Sequence, residues 1–216
     1  MKYKAAIFDL DGTLLDTIED LGDSMNYVLE KMGCPTHSME EYKYFVGDGR
    51  RNLVMRALPE DKRDEESVEY ALAAMSETYS KRWDVKTKPY PGITDMLDAL
   101  AGRGIKLSVL SNKTDNITKL VIKKFLPSWN FYPVFGERQG VPRKPDPAGA
   151  LEITRILGVK PDECIYVGDT DVDMKTAAAA GMYAVGVLWG FRTAEELVEN
   201  GAKTLISHPL DLLNLL

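Results

Sequence analysis

Hydrophobic positions along the chain change their period several times, and those changes predict the elements. Ala5–Leu10 is a short continuous apolar run that ends in acidic residues and Gly12, the pattern of a buried strand running into a loop. From Thr17 to Met32, the apolar residues Ile18, Leu21, Met25, Val28, Leu29 and Met32 recur at three- and four-residue steps. That spacing predicts an amphipathic helix, with Asp16 or Thr17 at its N-cap and Gly33 just beyond its end. Ser38–Val46 and Leu53–Leu58 predict shorter helices separated by Gly47-Asp48-Gly49, and Asp64–Trp83 a longer one. No strand candidate occurs across residues 17–84.

Beyond residue 90 the pattern alternates. Helices are predicted over Pro91–Arg103, Asn116–Phe125, Pro147–Leu157, Val172–Ala180, Thr193–Glu199 and Pro209–Leu216. Strands are predicted over Ile105–Ser111, Val134–Phe135, Cys164–Val167, Ala184–Leu188 and Thr204–Ser207. Alternating strands and helices predict an α/β fold, a doubly wound parallel sheet with helices on both faces. The helical stretch interrupts this alternation after the first strand, so it reads as an insert. The expected division is a core of residues 1–16 and 87–216 and a helical cap of residues 17–86.

Composition narrows the class. The chain has 216 residues, 44% hydrophobic and 28% charged, with a formal net charge of −6. A mildly acidic chain without a basic tract is a poor nucleic-acid binder. The two cysteines, Cys34 and Cys164, form no metal-binding spacing and read as reduced thiols. No apolar run is long enough for a membrane span, and the N-terminal run stops at Asp9, too soon for a signal peptide. The expected address is the cytoplasm.

Chemistry concentrates at the predicted strand ends, where an open parallel sheet places its ligand crevice. The first strand ends Asp9-Leu10-Asp11-Gly12-Thr13, another Ser111-Asn112, and a third Gly168-Asp169-Thr170-Asp171-Val172-Asp173, while a loop carries Lys144-Pro145. Asp9 and Asp11 are close enough to repel, and Asp169 arrives from another strand. A hard divalent cation, Mg²⁺, resolves that repulsion. Lys144 suits a phosphoryl oxygen, and Ser111, Thr13 and the N–H groups around them supply neutral donors. No nucleotide P-loop is present. In the helical insert, Arg50 and Arg51 follow the Gly47–Gly49 loop and are candidates for holding a substrate carboxylate. Arg192 is a similar candidate near the end of the chain.

Asp9-Leu10-Asp11-Gly12-Thr13, Ser111-Asn112, Lys144-Pro145 and Gly168-Asp169-Thr170-x-x-Asp173 resemble the four ordered motifs of the haloacid dehalogenase superfamily. Within it the chain is most similar to phosphoglycolate phosphatases and their near relatives. Val46-Gly47-Asp48-Gly49, Tyr90-Pro91-Gly92 and Trp189-Gly190-Phe191-Arg192 carry that likeness. The resemblance implies a Mg²⁺-dependent phosphatase acting on a small phosphate monoester through an aspartyl-phosphate. It makes Asp9 the nucleophile and Asp11 the general acid and base, and it puts Lys144 on the developing charge. Gly12, Thr13, Ser111 and Asn112 would bind phosphate. Asp9, Asp11, Asp169 and Asp173 would form the metal set, the Asp11 contribution coming from its carbonyl. Gly49 and Arg50 would select substrate. The implied partner is a small phosphorylated metabolite, with no nucleic acid or membrane, and the chain a monomer or homodimer. A phosphotransferase or mutase and a pyrophosphatase of the same superfamily remain alternatives, as does a non-catalytic phosphoacceptor module.

Overall fold

A computed structural model describes residues 2–216; Met1, at the start of the expected core, lies outside them. The chain divides into two compact units: residues up to Leu15 together with Pro89–Leu216, and Asp16–Lys88. Two-residue strands, β2 (Leu15–Asp16) and β3 (Lys88–Pro89), mark the two crossings and form a small sheet. Neither has the apolar alternation from which a strand can be read.

The first unit contains a six-stranded parallel sheet. Its strands are β1 (Ala5–Phe8), β4 (Lys106–Thr114), β5 (Phe131–Glu137), β6 (Cys164–Gly168), β7 (Tyr183–Val187) and β8 (Thr204–Ile206), in the order β5-β4-β1-β6-β7-β8. Winding therefore reverses at β1, whose neighbours are β4 and β6, so the crevice expected of such a sheet opens beyond the carboxyl end of β1. Its helices are α5 (Ile93–Gly102), α6 (Asp115–Phe125), α7 (Ala148–Leu157), α8 (Asp171–Ala180) and α9 (Ala194–Glu199). The central strands are apolar on both faces because both are covered. On one face Ala5, Ile7, Cys164, Tyr166 and Ala184 pack with Ile153, Met174, Ala177 and Leu197 from the helices. Each fully buried aliphatic side chain of this kind contributes about 1.5–3 kcal/mol.

Three predicted elements change. The strand expected to stop at Ser111 continues to Thr114, its register against β5 shifting between Leu110 and Thr114. Its last residues are polar because they serve the loops beyond the sheet, which hid them from an apolar count. β5 spans seven residues, not two. Pro133 disguised it, yet proline is tolerated there because β5 is an edge strand. The closing helix, Pro209–Leu215, is a 3-10 helix.

The second unit is helical: α1 (Ile18–Lys31), α2 (Met39–Phe45), α3 (Arg50–Ala57) and α4 (Glu65–Ser80). Leu21, Met25, Val28 and Leu29 of α1 are buried, as are Tyr42, Leu53, Val54, Val68, Ala71 and Met75. Thr17 occupies the N-cap position of α1, but its hydroxyl makes no capping bond. Ser38 forms a reciprocal capping box with Glu41, which starts α2 directly after an extended segment. Asp20 is buried at the start of α1 and accepts from the Lys86 N–H, the Thr87 N–H and the Thr87 hydroxyl at 2.8–3.1 Å. It secures the far end of the unit's own chain. Among the described residues, no helix is long and apolar enough to cross a membrane.

Candidate active site

The carboxyl end of β1 sets the site. The Asp9 N–H donates to Val167 O at 2.9 Å, extending the ladder towards β6 by one residue and seating Asp9 at the sheet's rim. The chain then turns tightly: Leu10 O accepts from the N–H groups of Thr13, Leu14 and Leu15 at 3.0–3.3 Å, and the Gly12 N–H donates to Leu15 O. Gly12 sits at φ +85°, a backbone conformation that favours glycine. The N–H groups of Gly12 and Thr13 are thus used inside the loop, and the Thr13 hydroxyl donates to Asp169 Oδ1 at 2.7 Å. These two residues build the loop that carries Asp9 and brace the neighbouring acid.

β6 delivers the second acid. Asp169 follows its last residue and is completely buried. Its Oδ2 accepts from the Phe191 N–H at 3.0 Å. Asp173 lies in the first turn of α8, also completely buried. Its Oδ2 accepts from the Thr170 N–H at 3.1 Å and the Thr170 hydroxyl at 2.7 Å. Lys144 Nζ donates to Asp173 Oδ1 at 2.7 Å and lies 2.9 Å from Asp9 Oδ1. The second contact is an ion pair without hydrogen-bond geometry, leaving Asp9 Oδ1 buried with no hydrogen-bond donor. The Asn112 side chain holds the Lys144 backbone from both sides, Nδ2 donating to Lys144 O and Oδ1 accepting from Lys144 N–H at 3.0–3.1 Å.

The electrostatics follow from this packing. Burial, then repulsion from Asp173, pushes Asp9 up to about 7 despite Lys144. Burial also drives Asp169 well above the carboxylate range, reinforced by Asp173 and Asp9. Burial opposes the Lys144 charge, but Asp173 and Asp9 outweigh it and hold the ammonium well above its ordinary value. Three buried acids thus face one buried lysine. Asp9, Asp169 and Asp173 can bring carboxylate oxygens within 4.8 Å of one another. An all-oxygen donor set, an acceptor with no donor and an excess of two negative charges when all are ionised fit a hard divalent cation such as Mg²⁺. Of the three, Asp9 Oδ1 takes no protein donor, each Asp169 oxygen takes one, and Asp173 is the most heavily occupied.

Asp11 does not join that cluster through its carboxylate. Both its oxygens take Lys113 Nζ, at 2.9 and 3.1 Å, in a pair only 5% and 12% exposed. Lys113 was missed in the sequence. Its signal was the period of two that puts it on the same side of β4 as Ser111, whose Oγ accepts the Lys113 N–H at 3.3 Å. Phe191 and Trp189 were also missed as site-builders, since they act through a backbone N–H and an indole anchored on Thr13 O. Gly49 and Arg50 belong to the helical unit. There Gly49 precedes α3, and Arg50 Nη1 donates to the Ser76 hydroxyl while Nε is buried without a partner. Arg51 faces outward in ion pairs with Glu65 and Glu69.

Residues 6–187 match the sequence profile of the haloacid dehalogenase-like hydrolases. The phosphoglycolate phosphatase of Aquifex aeolicus is 32% identical over 213 residues, covering 99% of this chain and 96% of that protein. Phosphoglycolate phosphatase 1 of Pseudomonas aeruginosa is 30% identical, covering 97% of this chain and 78% of that protein. A crystal structure from Lactobacillus delbrueckii subsp. bulgaricus is similar with a TM-score of 0.91 at 34% identity, covering 98% of this chain and 97% of that chain.

Proposed function

This chain belongs to the haloacid dehalogenase-like hydrolases, and from that premise we propose that it is a Mg²⁺-dependent phosphatase of small phosphate monoesters of the phosphoglycolate type. The observation that carries this reading is the buried convergence of Asp9, Asp169, Asp173 and Lys144 beyond the carboxyl ends of the sheet.

Asp9 is the nucleophile. A carboxylate oxygen attacks phosphorus in line, the bond to the ester oxygen breaks, and Asp11, carrying a proton in place of its ion pair with Lys113, donates it to the departing alcohol. Water then attacks the aspartyl-phosphate, Asp11 takes its proton, and Asp9 is regenerated with release of phosphate. Asp9, Asp169 and the Asp11 carbonyl would hold Mg²⁺, with Asp173 behind them, and the ion would neutralise charge on the phosphoryl oxygens. Lys144, held by Asn112 and Asp173, places a fixed positive charge beside Asp9 where negative charge builds on the phosphoryl group. Ser111 is the side-chain donor to a phosphoryl oxygen, while Gly12 and Thr13 keep Asp9 and Asp169 aimed. Gly49 and Arg50, at the start of α3 in the helical unit, are the residues proposed to select for a substrate that carries a second small anionic group.

A phosphate-release screen over small phosphorylated metabolites, with and without Mg²⁺, tests the assignment. Release of phosphate from phosphoglycolate or a similarly small monoester, lost on chelation, is the expected result. No turnover of any monoester, or full turnover in EDTA, overturns it.

A further inference from the structure

We propose that Gly190, in the loop after β7, is a positioning residue for the metal site: it lets that loop close on Asp169 and set the direction of its carboxylate. The inference rests on the reading of Asp9 and Asp169 as ligands of a divalent cation.

Asp169 is gripped from two sides. A Cβ at Gly190 would lie 2.2 Å from Asp169 Cβ and 2.6 Å from its Cγ. Those atoms are next to the backbone, so a rotamer change of the aspartate does not clear both; the whole side chain must shift. A Cβ at Gly12 would lie 2.2 Å from Asp169 Oδ2 and 2.8 Å from the Phe191 ring. Two glycines thus leave the narrow slot that the Asp169 carboxylate occupies. Within it the Phe191 N–H takes Oδ2 and the Thr13 hydroxyl takes Oδ1. Trp189 Nε1 donates to Thr13 O at 2.9 Å, tying the same loop to the turn that bears Asp9.

Each Asp169 oxygen therefore has one donor from the protein and a remaining lone pair whose direction is set before any cation arrives. A ligand oriented by hydrogen bonds to neighbouring groups binds metal more tightly because it loses less freedom on binding, and disrupting such partners weakens affinity about 10–100-fold. Nothing in the local sequence marks Gly190 for this role. It is a close-approach position, outside the set of glycines with positive φ.

Isothermal titration with Mg²⁺ and Mg²⁺-dependent thermal shifts on the full chain test the proposal. Gly190→Ala is expected to bind Mg²⁺ about 10–100-fold more weakly than wild type. Trp189→Phe keeps an aromatic ring and removes only the anchor on Thr13 O; it is expected to show a smaller loss in the same direction, and it keeps the test decisive if Gly190→Ala does not fold. Ile153→Val, a deletion of one methyl group in the core away from the slot, is expected to lower the metal-free melting temperature with wild-type Mg²⁺ affinity. Wild-type affinity in both loop variants overturns the role of the loop alone. Equal weakening in Ile153→Val overturns it too, by reducing the effect to general destabilisation. A wild-type protein that binds no Mg²⁺ overturns both this inference and the metal reading beneath it.

Discussion

Each unit buries an aspartate near the start of its chain segment, and the two are treated oppositely. Asp20 has three donors from Lys86 and Thr87 around its carboxylate and, among the described residues, is the one buried acid of the helical unit. Asp9, in the α/β unit, has an oxygen with no hydrogen-bond donor, a single lysine in ion-pair contact and two further acids within reach of the same point. A buried carboxylate that is fully hydrogen-bonded stabilises a fold; one left short of donors among its own kind costs free energy and persists where a ligand completes it. The difference separates structural acids from working ones more sharply than burial does.

Asp9→Asn breaks the comparison hardest. It should lower turnover about 10⁴-fold or more, as loss of a covalent nucleophile does, while leaving the metal-free protein folded. Steady-state kinetics with a melting curve checks both halves, and near-wild-type turnover would refute the nucleophile. Lys144→Met should come next. Loss of the charge beside Asp9 is expected to reduce kcat about 10²–10³-fold. Because it leaves Asp9 and Asp173 facing each other, it should also destabilise the metal-free protein by about 3–5 kcal/mol.

Asp20→Ala probes the other side. It strands the donors of Lys86 and Thr87, and about 3 kcal/mol of stability should disappear in chemical denaturation. The expected kcat at a temperature where the variant is folded is that of wild type, and a kinetic loss matching that of Asp9→Asn would erase the distinction.

The smallest effect is one of pH. Asp9 rises to about 7 on folding, so the folded state binds its proton more tightly than the unfolded chain. Its contribution to stability is full below about pH 4, the ordinary carboxylate value, and is lost as pH rises through the folded value. Asp169, also raised, has the same sign. The metal-free protein should therefore melt at a lower temperature at about pH 8 than at about pH 5, and saturating Mg²⁺ should flatten that slope. A metal-free melting temperature that is level or rising across this window would contradict the unmet charge at the site.

Much of this was legible in the residues. Asp9, Asp11, Lys144, Asp169 and Asp173 could be named because acids stood at or just beyond predicted strand ends, a lysine stood in a connecting loop, and their order resembles a family's motifs; α1 could be drawn from its three-and-four spacing. The ends of β4 and β5 were harder. Polar site residues and Pro133 there obscure the strand signal, and only pairing with neighbours reveals it. Lys113 and Gly190 were invisible as site residues for another reason: one acts by meeting Asp11, 102 positions earlier, the other by having no side chain where Asp169 must pass.

By itself, the order of residues determined the alternation of strands and helices and the kinds of charged group that stand at strand ends, since both depend on local periodicity and side-chain chemistry. Only tertiary structure decided how those charges are shared: Lys113 with Asp11, Thr13 with Asp169 across 156 positions, and Lys144 among two acids. The physical reason is that desolvation, ion pairing and the direction of a lone pair are set by groups close in space, and the parallel sheet gathers those groups from distant parts of the chain.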